Sequence, residues 1–254
     1  MANLPGVKTV IVVPCYNEAH RLPKKTFQDF LSTSCDITLI FVDDGSTDAT
    51  LSMLEELRGH HSDRVQVLHR EVNAGKGEAV RQGMLQALGL PDADFVGFWD
   101  ADLATPLAAV SDLLQVLLDH PEIQMVFGAR VKLLGRYIER LPIRHYLGRV
   151  FATVVSVLLR MPVYDTQCGA KIFRVTPVLR QLLTGSFCSR WVFDVEILAR
   201  FIRLHGGDAV GASGMIYEFP LYCWRDVAGS KVKPADFFRA FSDVVKIYNR
   251  YLRS

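Results

Sequence analysis

Long apolar runs and paired cysteines are what this sequence most plainly lacks. Its longest apolar stretch, residues 151–159, falls far short of the ~20 residues a membrane-spanning helix needs, so no transmembrane helix is expected. Residues 1–7 lack the basic start and apolar run of a signal peptide. The five cysteines (Cys15, Cys35, Cys168, Cys188 and Cys223) are an odd, scattered set without CxxC spacing. That argues against a disulfide framework or zinc knuckle and favours a reducing compartment. The histidines show no HxxxH or HExxH spacing, which argues against zinc hydrolysis. GxGxxG is missing too. The turn Gly75-Lys76-Gly77 is no P-loop, because position 70 is Arg and Gly77 stands where that motif ends in Ser or Thr. Dinucleotide-binding and ATPase functions are set aside on these grounds.

What is present is enough apolar sequence for one core. Of 254 residues, 50% are hydrophobic and 22% charged, which excludes disorder and coiled coils. The net charge is only +2, yet it is unevenly spread. Residues 130–160 carry a net +6 and residues 225–254 a net +4, leaving −8 elsewhere. Two basic segments on an acidic chain suit a polyanionic partner, whether phosphates, a lipid surface or nucleic acid; solvated helix faces are the plain alternative. No aromatic-basic RNA pattern or recognition-helix motif accompanies them, so no nucleic-acid partner is expected.

Along the first half, short β-rich runs at residues 9–13, 37–42, 65–69, 95–99 and 126–128 alternate with helical patterns near 23–31, up to 58, 77–88 and 107–118. Ser46 or Thr47 is placed to cap the second helix. Such alternation predicts an α/β fold, a mainly parallel sheet with helices on both faces and ligands beyond the carboxyl ends of its strands. The second half predicts helices over 140–159, 177–183 and 191–204, strands over 169–174 and 215–224, and an amphipathic tail helix with Phe237, Phe241, Val244, Val245 and Tyr248 on one stripe. We see no repeat and no linker that would split the chain.

Asp100-Ala101-Asp102 follows an apolar strand, and a two-residue period turns both carboxylates the same way at its carboxyl end. Two acids so placed repel unless a cation joins them, and carboxylate oxygens suit Mg²⁺ or Mn²⁺. A helix-starting turn is the plain alternative. Asp43-Asp44-Gly45-Ser46 also ends a strand; adjacent side chains point to opposite faces, so one acid is expected to reach a ligand. Asn73-Ala74-Gly75-Lys76-Gly77 offers an anion-binding turn. Arg130 ends a further strand, and Asp165 and Asp194 are acceptor-side carboxylates or satisfied structural ones. Ser230, Lys231 and Arg225 belong to a polar loop able to neutralise phosphate oxygens.

Taken in order, Val12-Val13-Pro14-Cys15-Tyr16-Asn17-Glu18, Val42-Asp43-Asp44-Gly45-Ser46-Thr47-Asp48, Asn73-Ala74-Gly75-Lys76-Gly77 and Asp100-Ala101-Asp102 resemble the inverting family 2 glycosyltransferases of GT-A fold. Asp165-Thr166-Gln167-Cys168-Gly169-Ala170-Lys171, Arg190-Trp191-Val192-Phe193-Asp194-Val195-Glu196 and Gly229-Ser230-Lys231 narrow the resemblance to the dolichyl- or polyprenyl-phosphate glucosyltransferase branch. It covers roughly residues 8–235. Ala170 stands where that branch usually has Phe, and Leu103 where Gly is common. The branch's eukaryotic glucosyl enzymes carry an N-terminal membrane helix, which is not expected here.

The resemblance implies one GT-A domain over 1–254: a nucleotide-sugar half (8–130), an acceptor half (131–235) and a C-terminal amphipathic helix (236–254). It implies that Pro14, Tyr16, Glu18, Asp43 or Asp44, Lys76 and Ala101 bind the nucleotide sugar, UDP-glucose. Asp100 and Asp102 would hold Mg²⁺ or Mn²⁺ at the diphosphate, and Arg130, Gln167, Arg190, Ser230 and Lys231 would meet phosphate or acceptor. Asp102, Asp165 and Asp194 are the catalytic candidates. The implied reaction is an in-line displacement with inversion onto a polyprenyl phosphate. A phosphate monoester, with a second pKa of ~6, is already ionised and needs little help from a base. A glycan or small hydroxyl acceptor would need Asp165 or Asp194 as that base. A sensor that binds the nucleotide sugar without turnover is disfavoured by the two clustered acids. The basic, apolar segment 130–160 could lie at a headgroup layer without crossing it. The expected place is therefore peripheral, on the cytoplasmic face of a membrane; packing on the sheet or on a second subunit is the alternative, and the better one for the tail.

Overall fold

Runs of β-branched and aromatic residues that are buried on both faces are the mark of strands sandwiched between helices. In the computed structural model, which describes residues 6–227 and 234–253, such runs form β1 (Thr9–Cys15), β2 (Ile37–Asp44), β4 (Phe95–Trp99) and β5 (Met125–Ala129), while β3 (Val65–Arg70), at the sheet's edge, is only partly buried. Shorter strands follow: β6 (Tyr137–Glu139), β7 (Ala170–Arg174), β8 (Ile216–Pro220) and β9 (Cys223–Arg225). The helices are α1 (Lys24–Thr33), α2 (Thr50–His60), α3 (Lys76–Ala87), α4 (Ala109–Asp119), α5 (Pro142–Leu159), α6 (Pro177–Leu182), α7 (Phe193–Leu204), α8 (Ala209–Ser213) and α9 (Pro234–Tyr251).

Seven strands form one sheet in the order β3-β2-β1-β4-β7-β5-β8, and β6 pairs with β9 in a separate two-stranded sheet. β7 alone runs antiparallel to its neighbours β4 and β5. The expected mainly parallel sheet with helices on both faces is what forms. Ile11, Val13, Phe41 and Trp99 meet residues of α1, α2 and α4 on one face. Val12, Val42, Phe98 and Phe127 meet residues of α3, α5, α7 and α9 on the other. The chain runs outward from β1 to β2 and β3, then returns to β4 beside β1. A crevice opens at such a reversal, at the carboxyl ends of β1 and β4.

Several elements differ from expectation. The strand expected over 215–224 is two: Pro220 cannot donate to a ladder, the chain turns at Leu221 and Tyr222, and β9 leaves for β6. Helix α2 begins only at Thr50, with Ala49 at its cap position. Ser46 and Thr47 do not cap it; they bond Asn17 of the loop after β1, through Asn17 N–H to Ser46 Oγ (2.9 Å) and Thr47 N–H to Asn17 Oδ1 (2.8 Å). The tail helix α9 packs rather than lying free, with Val244 and Ile247 buried and Phe241 edge-on to Phe151. Val245, expected on its buried stripe, is exposed. Phe237 and the tail's first side chains lie outside those described. In α5, Phe151, Ala152, Val155 and Leu159 are buried, while Ile143, Tyr146, Leu147, Val150 and Val157 are exposed. That helix is therefore apolar on two sides.

Candidate active site

Register aligns Cys15, Asp43 and His69 across the carboxyl ends of β1, β2 and β3. The loop leaving β1 is pinned to the start of α2: Glu18 N–H donates to Thr50 Oγ1 (2.7 Å) and Ala19 N–H to Asp48 Oδ2 (3.1 Å). Pro14 is the last residue but one of β1, and Tyr16 stands part-exposed just beyond the strand. Asp43 and Asp44 do point to opposite faces, but neither is open. Asp43 is fully buried, 2.8 Å from His69 Nδ1. Asp44 accepts from the backbone N–H groups of Ala74 (3.0 Å) and Gly75 (2.7 Å). Asp44 thus shapes the 73–77 loop, and Asp43 pairs with the part-exposed His69.

That loop aims Lys76 at the tip of β4. Lys76 Nζ lies 2.5 Å from Asp100 Oδ1. Burial alone would lower the ammonium pKa, but the charges of Asp100, Asp194 and Asp102 together raise it. Asp102 Oδ2 lies 2.5 Å from Arg21 Nη2, and its Oδ1 accepts from Ala104 N–H (3.1 Å). Burial first, and the Asp100 charge second, push the Asp102 carboxyl above its ordinary value despite the Ala104 bond, Arg21 and Lys76. Ala101, expected among the nucleotide-binding residues, turns its side chain into the core. Leu103 follows with φ 50°, in the left-handed region that explains why glycine suits this turn.

The acid pair fits a hard divalent cation. Both side chains are part-exposed, at 33% for Asp100 and 21% for Asp102, and they share one turn. Desolvation and mutual repulsion raise Asp102, a cost that a cation relieves. No third His, Cys, Asp or Glu among the described residues joins them, so the remaining ligands would come from a diphosphate and water.

On the other side of β4, the segment before β7 supplies a second charged group. Asp165 is gripped by Arg130 through Nε to Oδ2 (2.6 Å), Nη2 to Oδ1 (2.7 Å) and the Arg130 N–H to Oδ2 (3.0 Å). Burial would raise its pKa, but the Arg130 guanidinium holds the carboxyl well below the usual carboxylate range. Asp165, a catalytic candidate in the sequence, has both oxygens committed to Arg130 and to the Gln167 N–H, and so positions Arg130. Arg140, just ahead of α5, faces the same place. Burial and the adjacent Arg130 charge bring its guanidinium down to about 10. A Cβ at Gly148 would collide with that guanidinium, so the glycine makes room for it. Gln167 Nε2 is buried with no hydrogen-bond partner, a donor left over for a ligand.

Beneath this group Lys171, 1% exposed, ties three elements together. Its ammonium donates to the carbonyls of Thr166 (2.9 Å) and Cys168 (2.6 Å) and lies 2.7 Å from Asp194 Oδ1 in the first turn of α7. Burial pushes the Asp194 carboxyl up, against the pull of Lys171 and Lys76. Glu218 of β8 accepts from the N–H groups of Tyr164 (2.7 Å) and Asp165 (2.8 Å) and so anchors the segment.

Not every expected residue joins the site. The Arg190 guanidinium clamps the carbonyls of Asn73 and Ala74 and the Asn73 side chain, so it braces the Lys76 loop instead of presenting itself to phosphate. Arg225 is paired with Glu139 at the surface (2.8 Å). Ser230 and Lys231 lie outside the described residues. Arg21, Arg140, Lys171 and Glu218 were missed as site residues. Lys171 alone carried a local signal, a lysine inside an otherwise apolar strand.

The profile of glycosyl transferase family 2 matches residues 10–180. Dolichyl-phosphate beta-glucosyltransferase of Drosophila melanogaster is 34% identical over 98% of this chain and 76% of its own length. The Homo sapiens protein of the same name is 31% identical over 98% and 77%. Among solved structures, glucosyl-3-phosphoglycerate synthase from Mycobacterium tuberculosis in complex with Mn²⁺, UDP and glucosyl-3-phosphoglycerate aligns with a TM-score of 0.66 at 21% identity, covering 96% of this chain and 81% of that one. At that identity the likeness is one of fold.

Proposed function

Since the chain belongs to glycosyl transferase family 2, we propose that this glycosyltransferase moves glucose from UDP-glucose to a polyprenyl phosphate of dolichyl type, with inversion and with help from Mg²⁺ or Mn²⁺. The observation that carries the proposal is the pairing of charges along one rim. An acid pair at the end of β4 suits a metal-bound diphosphate, and an arginine pair beyond β5 suits a second phosphate.

Bound at Asp100 and Asp102, the ion would supply Lewis-acid stabilisation of the departing diphosphate. Lys76, released from Asp100, would add a positive charge to the same oxygens. Arg130, held by Asp165, and Arg140, seated over Gly148, would orient the acceptor phosphate, with the Gln167 amide donating beside them. The Arg130 and Arg140 charges oppose each other here, with Asp165, Asp226 and Cys168 pulling the other way, and an acceptor phosphate between the two guanidinium groups would relieve their repulsion. An ionised phosphate oxygen needs no base, which agrees with Asp165 being committed to Arg130. Asp194, with its raised pKa, is the remaining base candidate should the acceptor be a hydroxyl.

The lipid part of the acceptor has a surface to meet. Leu134, Tyr137, Leu141, Ile143, Tyr146 and Val150 are all more than half exposed and follow one another from the β5–β6 loop into α5. Apolar exposure of this extent beside basic residues suits a headgroup layer. No helix among the described residues is long and apolar enough to cross a membrane. We place the chain at the surface of the cytoplasmic leaflet.

The decisive experiment offers a panel of radiolabelled nucleotide sugars with a short polyprenyl phosphate, with and without EDTA. Label should enter the organic phase from UDP-glucose alone and only without chelator. Transfer to soluble hydroxyl acceptors, or equal transfer in EDTA, would overturn the lipid or the metal part respectively.

A further inference from the structure

Each acid at the tip of β4 is held by a cation from a different loop. Lys76 sits on Asp100, and Arg21 sits on Asp102, 2.5 Å in each case. Lys76 opens α3 and has an evident second partner in a diphosphate. Arg21 is another matter. It follows the loop that Glu18 N–H and Ala19 N–H fasten to Thr50 and Asp48, and its own N–H bonds the Glu18 carbonyl (2.8 Å). Its backbone is therefore fixed, and only the side chain can swing. Glu18 Oε2 lies 3.7 Å from Arg21 Nε, a second carboxylate on the same loop.

We infer that Arg21 is a tethered counter-ion that guards Asp102, so that a divalent ion binds well only together with a nucleoside diphosphate. This rests on the metal-assisted function proposed above. One cation already sits on each of the two acids, so a free ion must displace Lys76 and Arg21 to take both carboxylates. An incoming diphosphate supplies fresh anionic oxygens that draw Lys76 away and complete the ion's shell. Arg21 then moves toward Glu18 and yields Asp102. Binding of ion and nucleotide is thereby coupled, and linkage requires each to tighten the other by the same factor.

The test is direct titration with Mn²⁺, followed by the paramagnetic resonance signal of the free ion, with no turnover involved. Wild type, Arg21→Met and Arg21→Lys are each titrated alone and with saturating UDP. UDP should tighten Mn²⁺ binding to wild type by about tenfold or more, since an opposing charge at such a distance is worth 1–3 pKa units to a proton. Arg21→Met should tighten binding to the free protein by a similar factor and shrink the gain from UDP. Arg21→Lys should keep the wild-type pattern. Unchanged or weaker binding by folded free Arg21→Met would overturn the guard. So would tight binding to wild type that ignores UDP, an arm that stands whether or not the variant folds. If UDP binds calorimetrically and Mn²⁺ binds in neither state, the metal-assisted function itself falls.

Discussion

Gly169 offers a sharp way to displace one carboxylate while sparing the fold. Its carbonyl accepts the Asp100 N–H at 2.9 Å, and the Asp100 carboxylate lies flat against its Cα. A Cβ there would overlap all three carboxylate atoms, each closer than the 3.0 Å that real Cβ contacts essentially never breach. The backbone does not resist alanine, because Gly169 is not among the positive-φ glycines. In Gly169→Ala the Asp100 side chain must therefore retreat by about 1 Å, and Lys76 loses its partner. A misplacement of ~1 Å in a reacting assembly costs up to ~100-fold in rate. The overpacking costs about 1–3 kcal/mol, or several degrees of Tm in a chain of this size. Glucose transfer from UDP-glucose to a short polyprenyl phosphate should thus fall by about two orders of magnitude while the thermal transition stays cooperative. Activity within threefold of wild type would refute the placement of Asp100 at the reacting centre.

Two further outcomes follow from the same geometry. The folded-state pKa of Asp165 lies below its ordinary 3.8, so its pairing with Arg130 stabilises the chain fully above that value and is lost as pH falls through the lower one. Asp165→Asn, which leaves Arg130 buried and underpaired, should cost about 3–5 kcal/mol in urea unfolding at pH 7, a gap that narrows only below pH ~4; a gap that is the same at pH 7 and pH 2.5 would contradict this. Ile143→Asp together with Tyr146→Asp should abolish sedimentation with anionic vesicles at low salt while leaving the melting temperature unchanged; undiminished sedimentation would remove α5 from the membrane contact.

The first half of the fold was legible because each strand is an apolar run bounded by turn residues, and each helix repeats at its own period. β6 escaped notice because three residues with Tyr137 and Glu139 pointing outward carry no pattern, and α8 is a single short turn. The acids Asp100 and Asp102 were legible from their place after a strand. The counter-ion of Asp102 was not, since Arg21 is 81 residues away and only the β1–β4 adjacency unites them. Asp165 stays open between a catalytic and a structural acid in the sequence for the same reason: nothing near it announces Arg130, 35 residues away. Ser46 and Thr47 look like caps because hydroxyls prefer helix starts, and the competing bond to Asn17 is again long-range.

The reversal of β7 has a wider consequence. A strand that runs against its neighbours begins where they end, so the segment from Asp165 to Gly169 is delivered to the very edge where β4 and β5 finish. The later part of the chain is thus woven into the earlier part by main-chain ladders on both sides. The residues proposed for donor and acceptor therefore stand on one continuous sheet. Their mutual alignment is settled when the protein folds, and only side chains and loops are left to respond when substrates arrive.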